Sequence, residues 1–115
     1  WGANSYTTGD IIGVAMDLDN NKVYVSKNGT WQNSGDPTSG ATGTGAMYSI
    51  TDGYDYTFVS TTLDSGTDPV HEWNFGSPPF SISSGNTDGN GYGNMEFAIP
   101  SGYFCLNSKN LAEYG

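Results

Sequence analysis

Arginine is absent from these 115 residues, and cysteine and histidine occur once each, as Cys105 and His71. Without arginine and with only three lysines, the chain has no basic cluster with which to grip phosphates, so nucleic-acid binding is disfavoured. The same shortage, at a net charge of -9, sets the chain against anionic membrane surfaces. No apolar run approaches the ~20 residues of a spanning helix, and membrane insertion is not expected. A lone cysteine closes no internal disulfide, and within Tyr103-Phe104-Cys105-Leu106 it reads as a small buried hydrophobe. One histidine and three glutamates offer little for general acid-base work.

Aliphatic residues are scarce too. Leu, Ile, Val and Phe total 19 of 115, a fraction usual for disordered chains, yet eight Tyr, five Phe and three Trp argue for a packed core. Strong helix formers are few, while Gly, Ser, Thr and Asn supply nearly half of the chain, which excludes a helical bundle. The length suits one domain.

The clearest element lies at residues 10–19, where Ile12, Val14, Met16 and Leu18 alternate with small or acidic residues at period two. This predicts a strand whose dry face carries those four side chains. Asn20-Asn21 tolerates positive φ and leads into a second strand over residues 22–26; Asn28-Gly29, a strong two-residue hairpin turn, returns the chain through Thr30-Trp31-Gln32. A three-stranded meander is expected over residues 11–32. Residues 33–45 are nearly all polar or Gly and read as a long exposed loop, and residues 83–94 as a second polar stretch. Short strands are expected at 46–50, 56–61, 70–75, 95–99 and 103–106, which together predict an all-β, antiparallel sandwich or barrel.

For chemistry the residues point to no catalytic constellation. His71 reads as a strand-surface residue, and nothing local marks Cys105 as an activated partner for it. Asp17 and Asp19 project from one side of a strand at a spacing that would suit a small glycosidase, although acids beside a turn need no such role. With Asn21 they open like an EF-hand loop, but Lys22 and Asn28 stand where that loop requires Gly and Glu. No cofactor is expected, although loop carboxylates could hold a calcium ion. Asn28-Gly29-Thr30 fits the glycosylation pattern, which the turn already explains. Tyr54 and Tyr92 stand in Gly- and Asp-rich loops, where a ring is more available to a partner than to a core. If each strand crosses the sheet once, Asp52, Tyr54, Asp55 and Tyr92 gather at one end, beside Asn28-Gly29, as the expected binding residues.

The run from Gly9 to Asp19, followed by Lys22-Val23-Tyr24-Val25-Ser26-Lys27-Asn28-Gly29-Thr30-Trp31, closely resembles the central segment of SPRY (B30.2-like) domains. Tyr56-Thr57-Phe58-Val59-Ser60, Trp73-Asn74-Phe75-Gly76 and Pro79-Phe80 are similar to the family's later motifs, in the same order. The tail with Lys109-Asn110-Leu111 resembles the variant found in bacteriophage and marine viral structural proteins. The resemblance implies a bent β-sandwich of concanavalin-like jelly-roll architecture, without catalytic activity, whose loops bind protein or sometimes carbohydrate. It implies a virion or extracellular surface location, with other virion chains, a host protein or a cell-surface glycan as partner. A purely architectural virion surface domain is the remaining alternative. The match covers roughly the C-terminal half of the domain, so the family's N-terminal strands are expected from a longer polypeptide or from another chain of an oligomer.

Overall fold

The structure, a computed structural model, describes residues 5–61 and 70–115. Its regular part is a four-stranded antiparallel sheet and one short helix. Strands β1 (Ile12–Asp17) and β2 (Lys22–Lys27) pair from Ile12 opposite Lys27 to Asp17 opposite Lys22. The turn between them is capped by Asp17, whose carboxylate accepts from the backbone N and the Nδ2 of Asn20, both at 2.9 Å, while Asn21 takes a φ of 59°. Asn28 and Gly29 both have positive φ, 49° and 78°, as a type I′ hairpin requires, and β3 (Thr30–Trp31) follows. The expected meander is present.

β4 (Tyr48–Ser49) pairs with the same edge of β2 as β3 does, Tyr48 opposite Val23 and Ser49 opposite Lys22. β3 and β4 are therefore two ends of one edge row, and residues 32–47 form an excursion from it. This segment does not simply hang in solvent as the sequence suggested. It folds as a compact Ω-type loop over Tyr24, whose side chain is 1% exposed and whose hydroxyl lies 3.3 Å from Ser39 Oγ. Gly45, at φ 62°, closes the loop; a Cβ there would meet Asn33 O and come within 2.6 Å of the Gly35 backbone. Gly45→Ala is expected to destabilise the fold by about 2 kcal/mol, read as a lower urea midpoint at unchanged slope.

The better covered face of the sheet is the opposite of the expected one. Ala15, Tyr24 and Ser26 are buried on it. On the expected face Val25 is buried at 6% exposure, but its ladder partner Val14 and Ile12 are each 44% exposed and Leu18 more so. Alternation assigned these residues to faces correctly. The loop over residues 32–47 covers the side bearing Tyr24, whereas the aliphatic side is covered over Val25 and left half-open along β1.

Beyond β4 the expected strands at 56–61, 70–75, 95–99 and 103–106 are not built as strands; among the described residues only a single bridge, Asn86 with Met95, forms there. Their alternation is weaker than that of β1, and a strand also needs a neighbouring edge to bond. Among the described residues no second sheet packs on the first. The stretch 83–94 is also less open than expected: Asn86 and Met95 exchange backbone bonds of 2.8 and 2.9 Å, and Asp88 N donates to Tyr92 O at 2.8 Å. The chain ends in a helix that the sequence reading did not foresee, α1 (Ser108–Tyr114), begun by Asn107, whose Oδ1 accepts from the backbone N of Lys109 and Asn110.

Candidate functional site

Each residue singled out from the sequence has a definite place. Asp52, Tyr54 and Asp55 lie in an exposed loop, with Tyr54 71% exposed. The loop is tied at its base by Tyr56, whose hydroxyl donates to Thr51 O at 2.9 Å and accepts from Thr51 N at 2.8 Å. Because Ile50 N bonds Asn21 O, this loop leaves the sheet beside the β1–β2 turn and not beside Asn28-Gly29. The strand-parity argument failed because β3 and β4 run in the same direction along β2.

Tyr92 has other employment. Its hydroxyl donates to Glu113 Oε2 at 2.6 Å, the Lys109 ammonium stands 4.4 Å from its ring centroid, and its backbone N donates to Asp88. The bond to Glu113 holds the phenol's proton and pushes its pKa up to about 12. Tyr92 fastens α1 to the 86–95 turn.

Asp88, within the polar stretch 83–94, is buried at 7% exposure. Its Oδ2 accepts from Cys105 N at 2.9 Å and Asn110 Nδ2 at 2.6 Å, and its Oδ1 from the backbone N of Asn90 and Tyr92, each at 3.0 Å. Burial alone raises the carboxyl's pKa, but these four donors outweigh it and hold it below the ordinary value. Occupied by donors on both oxygens, the carboxylate is a structural hub and a poor cation ligand. Among the described residues no group of three or more His, Cys, Asp or Glu is placed to hold a metal. The loop carboxylates that could hold a calcium ion are thus not gathered in such a group there; Asp64 and Asp68 lie outside the described residues.

The candidate nucleophile and acids are also accounted for. Cys105 is buried, where Gly76 and Gly93 come close enough that a Cβ on either would strike it, and burial pushes its thiol to about 11. His71 Nδ1 lies 2.9 Å from Ser60 Oγ at the surface. Asp17 caps its turn, and Asp19 is exposed in it.

A concave feature lies elsewhere. A groove of about 520 Å³ runs between the Asn28-Gly29 turn, residues 35–38 and residues 97–100. Trp31, Phe97, Pro37 and Pro100 provide apolar walls. Gly29 is needed here twice, for its φ and because a Cβ would lie 2.6 Å from the Phe97 ring. Tyr103 steadies one wall by donating its hydroxyl to Pro37 O at 2.8 Å. Asp36 adds a carboxylate, accepting from Thr38 Oγ1 at 2.6 Å and Thr38 N at 2.9 Å, and these bonds keep it ionised below the ordinary carboxylate range. Two aromatic rings beside a fixed anion can hold an apolar or hydroxyl-rich ligand, or a cationic side chain. Sequence reading missed this groove because its walls come from three distant segments; Trp31 and Phe97 carried no signal apart from the core.

A second aromatic group joins Phe58, Trp73 and Phe75. Trp73 and Phe75 stack at 6° with centroids 5.9 Å apart, and Phe58 lies 6.5 and 5.9 Å from them. Segments 56–61 and 70–75 thus meet through side chains, as Ser60 and His71 also do. No family model, no curated protein and no solved structure matches the chain.

Proposed function

We propose that the chain is a non-catalytic interaction module, in which the antiparallel sheet is one layer of a SPRY-like β-sandwich and the loops and groove bind another macromolecule at a virion or extracellular surface. The observation that supports it is the groove between Trp31 and Phe97. It is concave, Gly29 leaves room for the Phe97 ring, Tyr103 holds the Pro37 wall, and its one acid is kept charged by its hydrogen bonds to Thr38. Such a surface, on a chain of charge -9, favours neutral or cationic partners. The exposed loop with Asp52, Tyr54 and Asp55, at the other end of the hairpin beside the β1–β2 turn, offers a second, separate contact surface.

A protein partner is the main reading. A cell-surface glycan is the second, supported by the pairing of rings with a carboxylate, an arrangement that can stack a sugar ring and accept from its hydroxyls. The purely architectural reading gives the groove no task. The test presents the chain to immobilised cell-surface protein extract and to a glycan array, with and without EDTA. Saturable binding to one of them is expected, weakened at least about tenfold by Phe97→Ala and less by Tyr54→Ala, with the circular dichroism spectrum unchanged. EDTA sensitivity would add calcium to the glycan reading. Absence of saturable binding to either surface, or binding indifferent to Phe97→Ala, would overturn the proposal.

A further inference from the structure

Among the described residues the outer edge of β1 has no partner strand. Ile11 and Asn28 face each other across the hairpin, Asn28 N donating to Ile11 O and Ile11 N to Asn28 Oδ1, both at 2.8 Å. In an antiparallel ladder the inward-bonding residues then alternate, so Gly13, Ala15 and Asp17 bond β2 while Ile12, Val14 and Met16 turn their N–H and C=O groups away from it. None of those outward groups has a partner among the described residues. Natural sheets guard such edges with lysine, proline or bulges, and β1 carries none from Ile12 to Met16. The same three residues place their side chains on the aliphatic face, where Ile12 and Val14 are each 44% exposed.

We infer that a second copy of this chain occupies this edge, β1 pairing antiparallel with β1 about a two-fold axis at Val14. The strand is self-complementary in that register. Val14 meets Val14 of the second copy, Ile12 meets Met16, and each such pair exchanges two backbone hydrogen bonds. It is the register that pairs all three outward residues within the strand bounds. It also sets no acid against an acid: Asp17 falls opposite Ile11, and Asp10 opposite Leu18. Asp10 is moreover neutralised by the Lys27 ammonium at 2.9 Å, whose hydrogen bond, with that of Asn28, brings its pKa down to about 2. The repulsion expected from the net charge of -9 is thereby kept off the seam, and the two sheets join into one with a continuous apolar face.

The inference is independent of the groove and is tested by sedimentation of the chain over a concentration series. A dimer is expected, with slow amide exchange at Ile12, Val14 and Met16. Val14→Pro removes only an outward N–H and leaves the β1–β2 ladder intact, so it is expected to raise the dimer dissociation constant at least about tenfold. Val14→Lys does the same by guarding the edge, and serves if the proline variant misfolds. In a Cys105→Ser background, Val14→Cys is expected to form an intermolecular disulfide on mild oxidation, the Cα atoms of such a pair lying about 5.5 Å apart. Ile12→Cys, which faces Met16, is expected not to. A chain that stays monomeric at millimolar concentration, or a dimer indifferent to both Val14 variants, would overturn the inference. Protection of the three amides in a monomer would likewise overturn it, and would assign the edge to a strand of the same polypeptide.

Discussion

Replacing Tyr24 by alanine is expected to cost about 4 kcal/mol of folding stability, the usual loss for a fully buried aromatic ring. Its ring is the one large side chain sealed almost completely from solvent among the described residues, and little else can fill its place. It faces Ala15 across the ladder, and Gly35 of the covering loop is close enough that a Cβ there would touch the ring at 3.5 Å. Small neighbours cannot expand into the cavity, so most of the lost contact goes uncompensated. Residues 35–38, which form a wall of the groove, rest on the same loop; ligand binding should therefore fall together with stability. Tyr24→Phe removes only the 3.3 Å contact with Ser39 Oγ and is expected to cost about 1 kcal/mol or less. Urea unfolding of both variants is the check. A loss below about 1 kcal/mol for Tyr24→Ala would mean that the loop is not packed on this ring.

Asp88→Ala is expected to cost about 3 kcal/mol, because it leaves the N–H groups of Cys105, Asn90 and Tyr92 and the carboxamide of Asn110 without their acceptor in a buried site. Asp88→Asn keeps one acceptor oxygen but turns an amide donor toward donors, so it should recover only part of the loss. The pH dependence follows from the carboxyl's lowered pKa. The folded state binds this proton less readily than the unfolded chain, so the stabilisation is fully present above the unfolded value near 3.8 and is lost as pH falls through the lower folded value. Urea midpoints measured between pH 6 and pH 2 should drop for the wild-type chain, and the drop should be smaller in Asp88→Asn. An equal decline in both would assign the acid sensitivity to other carboxylates.

The N-terminal half of the sheet was legible because its information is local. Period-two alternation from Ile12 to Leu18, an Asn pair at one turn and Asn28-Gly29 at the other specify two hairpins without reference to distant residues. The later segments alternate less clearly, and Phe58, Trp73 and Phe75 meet through their rings, with no sheet edge beside them among the described residues to accept a ladder. Asn107 is a good helix cap, but the seven residues after it make a helix only where Asp88 and Tyr92 hold Asn110, Lys109 and Glu113.

The candidate site divides in the same way. That Tyr54 is exposed could be read from its Gly- and Asp-rich surroundings, and the structure agrees. That Tyr92 and Asp88 serve the interior could not, since their partners lie some twenty residues away at α1 and at Cys105. The sequence by itself determined an antiparallel β chain, its two hairpins and which residues share a face, because these depend on backbone geometry and on neighbours in the chain. Only the tertiary structure decided which face is covered, which acid is buried and where a groove opens. Those outcomes depend on how one polar loop closes over Tyr24 and on four hydrogen bonds converging on one carboxylate, and neither leaves a periodic trace in the residues.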